Sequence, residues 1–260
     1  MRADKLLCVK GLARSRTEAQ RIIEEGAVYL GARQIKKSSE DIPDTETPTV
    51  EGYDREYVSR AGKKIEAAFD RFSVEVKDRV ALDVGASTGG FTQCMINRGA
   101  KRVYAVDSGH GQLAEELMRD ERVISIEGFN ARNLTPETLD CEKVSLITMD
   151  VSFISQTAII PALPSLCETG AIFAALIKPQ FEAGREYVGR GGIVKDKKGH
   201  RLSIEKTVTA AAVSGFSLCG VINSPILGGD GNREFLAVYE YIGTTALLPD
   251  FKEIFREVEI

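Results

Sequence analysis

Along most of this chain, short apolar runs alternate with helical patterns, and each run closes on a small or charged residue. Val80, Leu82 and Val84 alternate and stop at Gly85, after which Gly89 and Gly90 open a helical stretch. Arg102-Val-Tyr-Ala-Val-Asp107 repeats the form, Arg122-Val-Ile-Ser-Ile-Glu127 runs into Gly128, and Val144-Ser-Leu-Ile-Thr-Met ends at Asp150, with Ser152 read as the start of the next helix. Ala171 to Ile177 is continuously apolar, as a strand covered on both faces should be, and it ends at Lys178-Pro179. Strands that alternate with helical patterns in this way predict an α/β fold on a mostly parallel sheet. Phe216–Asn223 and Glu234–Ile242, separated by a glycine-rich loop, predict an antiparallel pair closing that sheet. Upstream, Ser59 is read as the cap of a helix whose stripe is Ile65, Ala68, Phe69 and Phe72. Lys64 lies beside the stripe, where a lysine ordinarily carries its charge out to water. The last residues, 250–260, read as a short amphipathic helix with Phe251, Ile254, Phe255 and Val258 inward.

The first 37 residues predict a separate α+β module. Leu6, Leu7 and Val9 belong to a short helix stopped by Gly11, and Ser15 with Glu18 forms a capping box ahead of Ala19, Ile22 and Ile23. Gly26 ends that helix, and Val28 and Leu30 begin a strand. The net charge of −4 conceals a strong asymmetry. Residues 1–37 hold nine Lys/Arg against four Asp/Glu, whereas 38–56, with Pro43 and Pro48, hold one against seven. The acidic segment reads as a last strand running into a linker. The expected domains are therefore 1–56, 57–243 and a tail of 244–260. A second basic stretch, 184–206, has seven Lys/Arg against three acids. No apolar run is long enough to span a bilayer and no signal-peptide core follows the first charges, so a cytoplasmic protein without membrane contact is expected. Cys8, Cys94, Cys141, Cys167 and Cys219 are scattered and include no C-x-x-C pair, which predicts packed, reduced thiols and no metal site.

The stretch Asp83-Val-Gly-Ala-Ser-Thr-Gly-Gly-Phe91 is a strand, a glycine turn and a helix start, which lets a ligand approach the backbone. Asp83 within the strand end disfavours a pyrophosphate and suits a cationic or zwitterionic ligand. Asp107, about twenty residues on, stands where a ribose diol is gripped. An adenosine bearing a charged amino acid satisfies both, and S-adenosyl-L-methionine is the expected cofactor. Its expected contacts are Asp83, Gly85, Ala86, Ser87, Thr88, Gly89, Gly90, Phe91 and Asp107. Asn130 either pairs with an adenine edge or is a plain turn residue. Asp150 and Lys178, at strand ends, border the same crevice, although an acid there is also a common helix cap.

Two resemblances complete the picture. R-x-D-K-L-L, G-L-A-x-S-R-x-x-A and G-x-V-x-x-x-G-x-x-I-K-K resemble the S4 RNA-binding domain, which implies RNA contact through Arg2, Lys5, Lys10, Arg14, Arg16 and Arg21. S-R-A-G-K-K, L-D-V-G-A-S-T-G-G-F-T, M-D-V-S-F-I-S, L-I-K-P-Q-F-E, V-G-R-G-G-I-V and S-P-I-x-G-x-x-G-N-R-E-F resemble the FtsJ-type RNA ribose methyltransferases, and with the S4 module the TlyA-type ribosomal RNA 2′-O-methyltransferases. The implied fold is a Rossmann-like seven-stranded methyltransferase domain behind a small α+β S4 domain. The implied catalytic tetrad is Lys64, Asp150, Lys178 and Glu234, acting on ribosomal RNA or ribosomal subunits, with cytidine as the nucleotide. Arg60, Arg185, Arg190 and Lys195 extend the expected RNA surface. A ribose hydroxyl is a weak acid and a poor nucleophile. Lys178 is accordingly expected as base or alkoxide stabiliser, with Asp150 balancing the lysines, Lys64 holding the ribose and perturbing Lys178, and Glu234 fixing one ammonium. The competing expectation is a non-catalytic RNA-binding or ribosome-assembly factor that keeps the cofactor pocket. A membrane-active haemolysin, the label some relatives carry, ranks third.

Overall fold

The computed structural model describes residues 1–13, 16–51, 57–229 and 231–260. Two compact units divide the chain, Met1–Glu56 and Tyr57–Ile260. Arg14 and Ser15, and with Ser15 the capping box, lie outside the described residues, as does the chain at the expected boundary of 56.

In the first unit, α1 (Ala3–Val9) and α2 (Arg16–Glu24) cover a small sheet of β1 (Val28–Leu30), β2 (Arg33–Gln34) and β3 (Thr49–Val50), ordered β2-β1-β3. Leu6, Leu7, Ala19, Ile22, Ile23, Val28 and Ile35 are its buried centre. The acidic segment folds back onto this unit. Ile42 is buried, its carbonyl accepts a bond from the Met1 amino group, and β3 pairs with β1.

The second unit runs α3 (Ala61–Arg71), β4 (Val80–Val84), α4 (Gly90–Asn97), β5 (Arg102–Val106), α5 (Glu115–Met118), β6 (Val123–Ile126), β7 (Val144–Met149), β8 (Cys167–Ile177), α6 (Pro179–Glu182), α7 (Lys197–Val213), β9 (Phe216–Asn223), β10 (Phe235–Tyr241) and α8 (Phe251–Glu257). The seven strands are ordered β6-β5-β4-β7-β8-β10-β9. All neighbours from β6 to β8 are parallel, and β10 runs antiparallel between β8 and β9. Period-two alternation sends Ala81, Val103, Leu146, Ala174 and Leu236 to the face covered by α3 and α4. Leu82, Tyr104, Ile147, Phe173 and Ala237 go to the other face, under Ile204, Val208 and Ala211 of α7. Phe251, Ile254 and Phe255 of α8 also pack against that face.

Two local expectations fail for identifiable reasons. No helix starts at Ser152. Phe153 instead takes φ +64°, and the crossover is completed by 3-10 turns at Gln156–Ala158 and Ile160–Ser165. Pro161 and Pro164 supply no N–H, so an α-helical ladder cannot run through them. Ser59 is not the cap of α3 either. Arg60 occupies that position, and the Ser59 hydroxyl lies against Gly90, where a Cβ would collide with it.

Among the described residues, no helix is long and apolar enough to cross a membrane. Cys94 and Cys167 are buried, but Cys141 and Cys219 are exposed, so the thiols are less packed than expected.

Candidate active site

The carboxyl ends of the parallel strands carry the charged residues. Met149 pairs with Ala175 on β8, and the next residue, Asp150, continues the sheet through its N–H to the Val84 carbonyl at 2.9 Å. Phe235 of β10 pairs with Ile177 of β8, so Glu234 and Lys178 are the residues just beyond the same register pair. The register of three strands thus brings Asp150, Lys178 and Glu234 to one sheet edge, and α3 brings Lys64 to Glu234.

Each lysine has its own carboxylate. Lys178 Nζ lies 2.6 Å from Asp150 Oδ1 and donates to Ser152 Oγ at 2.9 Å. Lys64 Nζ donates to Glu234 Oε2 at 2.6 Å, and this pair is the deeper one, with side chains 10% and 2% exposed. Gly228 makes room for it, since a Cβ there would meet Glu234 Oε1 at 2.5 Å. Lys64 therefore does not reach water in the ordinary way for a boundary lysine.

Beside the Lys178–Asp150 pair lies a cleft of about 510 Å³, lined by Gly85, Ser87, Val106, Asp107, Gly109, Asn130, Asp150 and Ser152, among others. Gly85 sits at φ +84°, and a Cβ on it would meet the Asp150 carbonyl oxygen at 2.5 Å. Only glycine fits where the ends of the neighbouring parallel strands β4 and β7 come this close. Asp107 spans the floor. Its carboxylate accepts the Ser87 N–H at 2.8 Å and the Gly109 N–H at 2.7 Å, tying the two glycine-containing turns together. Asn130 caps a 3-10 turn, accepting from the Arg132 N–H at 3.1 Å.

Of the ten expected cofactor contacts, Gly85, Ser87, Asp107 and Asn130 line the cleft, and the other six do not. Asp83 is fully buried. Strand alternation turns it to the α4 face, where Thr92 and Thr148 donate to it at 2.6 and 2.9 Å, and burial pushes its carboxyl up to about 6. Ala86 and Phe91 are buried in packing, and Gly89 and Gly90 face Leu117 and α3. Thr88 contributes its carbonyl to the Ala114 N–H.

Several lining residues escape the sequence pattern. Gly109, Phe129, Ser152 and Phe153 lie three or four residues beyond the ends of β5, β6 and β7, which is the available signal. Phe153 is 92% exposed, with its ring centroid 5.3 Å from that of Phe181. Asn232 escapes it as well. Fully buried, it accepts from the Val194 N–H at 2.9 Å and donates to the Gly192 carbonyl at 3.0 Å, pinning the loop that carries Arg190.

The basic residues divide into three groups. Lys5, Lys10, Arg185, Arg190 and Lys195 are exposed, whereas Arg21 and Arg60 are half-buried. Arg2 and Arg16, although exposed, are turned to the buried carboxylate of Asp4, each with a guanidinium nitrogen at 2.9 Å. Their hydrogen bonds hold that carboxyl well below the usual carboxylate range. Arg14 lies outside the described residues.

Comparison with known proteins gives consistent matches. Residues 57–241 match the FtsJ-like methyltransferase family, and residues 1–44 match the S4 domain. The chain is 45% identical to YqxC of Bacillus subtilis, provisionally named an rRNA methyltransferase, over 99% of this chain and 92% of that protein. It is 40% identical to the 16S/23S rRNA (cytidine-2′-O)-methyltransferase TlyA of Mycobacterium tuberculosis, over 90% of this chain and 87% of that one. A solved structure from Streptococcus thermophilus with a provisional hemolysin label is 40% identical, with a TM-score of 0.78, covering 98% of this chain and 94% of the other.

Proposed function

The chain belongs to the FtsJ-like methyltransferase family and carries an S4 domain ahead of the methyltransferase domain, and from that premise we propose that it transfers a methyl group from S-adenosyl-L-methionine to the 2′-hydroxyl of a cytidine in ribosomal RNA. The observation that carries the reading is that Asp150, which lines the cleft beside the glycine turn, is the ion-pair partner of Lys178 at 2.6 Å.

The cleft fits the cofactor. It joins the apolar side chains of Val106, Phe129, Ile154 and Ile159 to the acids Asp107 and Asp150 and the small residues Gly85 and Ser87, which together suit an aromatic base, a diol and a charged amino acid. Asp107 and the Gly109 turn would hold the ribose, with Phe129, Asn130 and Ala131 around the adenine. When bound, the cofactor supplies an electrophilic methyl group on a sulfonium centre.

The protein's own residues have to place the sugar hydroxyl and stabilise the charge that grows on its oxygen. Lys178 is the group for this. Its contact with Asp150 is that of an ion pair, which suits an alkoxide stabiliser better than a base. Asp150 and Ser152 fix the direction of the ammonium. The Lys64–Glu234 pair locks α3 to the start of β10, the strand whose first residue pairs with the last residue before Lys178. Phe153, exposed beside Ser152, offers an aromatic face to an unstacked base, in keeping with recognition of unpaired RNA by stacking. Exposed Lys5, Lys10, Arg185, Arg190 and Lys195 supply phosphate contacts.

The test is transfer of a labelled methyl group to ribosomal subunits. The wild-type protein leaves an alkali-resistant 2′-O-methylcytidine, and Lys178→Ala lowers the rate by roughly a hundred- to ten-thousand-fold while cofactor affinity, read by calorimetry, is kept. Loss of both together would assign Lys178 to folding instead.

A further inference from the structure

The loop between β7 and the first 3-10 turn holds Ser152, which receives Lys178, and Phe153, which sits in the left-handed backbone region. A phenylalanine in that region is strained, so its surroundings must hold it there. The far end of this loop is held by a buried group that belongs to neither ion pair. Glu182, the last residue of α6 and only 4% exposed, directs both carboxylate oxygens back at this loop. Oε2 accepts from Ser155 Oγ at 2.5 Å and Oε1 from the Gln156 N–H at 2.7 Å. Gln156, itself 2% exposed, donates its side-chain amide to the Leu176 carbonyl at 2.5 Å, two residues before Lys178. The loop is thus anchored at one end where Asp150 joins Val84, and at the other by Glu182 and Gln156 to the strand end that delivers Lys178.

We propose that Glu182 is a positioning residue for methyl transfer, acting through the Ser155–Gln156 latch to hold Ser152 and Phe153 in place against Lys178. The inference rests on the methyltransferase reading above. Burial pushes the Glu182 carboxyl up, against the hydrogen bonds that favour its ionised form. A neutral isostere preserves the latch. In Glu182→Gln the amide oxygen takes the Gln156 N–H and the amide nitrogen donates to the Ser155 hydroxyl, which accepts as readily as it donates.

The experiment compares full-length wild type, Glu182→Ala, Glu182→Gln, Ser155→Ala and Phe153→Ala, with Glu182→Ala also made in the Phe153→Ala background. It reads single-turnover methyl transfer to ribosomal subunits, cofactor affinity and thermal melting. Misplacing reacting groups by about an ångström costs on the order of a hundredfold. Glu182→Ala should therefore lose about that much in rate at unchanged cofactor affinity, with Ser155→Ala intermediate and Glu182→Gln within about threefold of wild type. In the Phe153→Ala background the same change should cost at most about threefold, because residues acting through one loop are not additive. Equal losses in both backgrounds, or a Gln variant as poor as the Ala variant, overturn the proposal. Where Glu182→Ala does not fold, the Gln and Ser155→Ala variants decide alone. Inactive wild-type protein would instead overturn the methyltransferase reading, so the two failures are distinguishable.

Discussion

At the scale of single residues, the two lysine–carboxylate pairs differ in what they make possible. The Lys64–Glu234 pair is nearly dry, and removing one partner leaves the other charge buried and uncompensated, a loss of about 3–5 kcal/mol. Lys64→Ala should melt earlier by that measure, while Lys64→Met combined with Glu234→Leu should recover most of the stability and none of the methyl transfer. Calorimetric unfolding beside an activity assay checks both. Asp83 supplies a pH prediction. Its folded value of about 6 lies above its ordinary value of 3.8, so ionisation opposes the fold. The stability this group contributes is complete below about pH 4 and is lost as pH rises through 6, on the order of 3 kcal/mol in all. Asp83→Asn should raise the melting temperature at pH 8 and change it little at pH 4.

At the scale of elements, the strands are legible in the sequence because their patterns are strong, and the crossover after β7 is not. Val80, Leu82 and Val84 announce β4, and the wholly apolar 171–177 announces β8, whose additional residues from Cys167 carry no such pattern. Of the proposed tetrad, Asp150 and Lys178 can be placed because each directly follows the end of a strand. Asp83 is misplaced for the opposite reason. It lies inside a strand, and the residue's face, which follows from Ala81 pointing at α4, decides what it touches. Glu182 stands in the L-I-K-P-Q-F-E motif with no role readable from it, since its partners Ser155 and Gln156 come from a loop whose shape the apolar pattern does not encode. Gly85 is the point where local backbone and tertiary packing coincide. Gly85→Ala adds a methyl both at φ +84° and 2.5 Å from the Asp150 carbonyl oxygen. It should cost at least about 1–3 kcal/mol and weaken cofactor binding, as thermal melting and calorimetry would show.

At the scale of the whole molecule, each unit presents its own exposed cations, Lys5 and Lys10 on the first and Arg185, Arg190 and Lys195 on the second. The chain nevertheless carries a net charge of −4, so attraction to RNA is a property of these faces and not of the total. Neutralising Lys5 and Lys10 together should reduce the slope of log affinity against log salt by about 0.7–0.9 for each phosphate left without its cation, whereas Arg2→Gln should change it less, its guanidinium being committed to Asp4. Salt titrations of RNA binding measure both.

Lys64 and Glu234 are 170 positions apart. While the polypeptide is being synthesised, α3 and the first parallel strands emerge with a lysine that has no counter-ion, and it acquires one only when β10 inserts between β8 and β9. Closing so long a span is slow. The pair is therefore completed only by the last strand to be made, and under the role proposed for it a nascent chain interrupted before that point is a scaffold without chemistry.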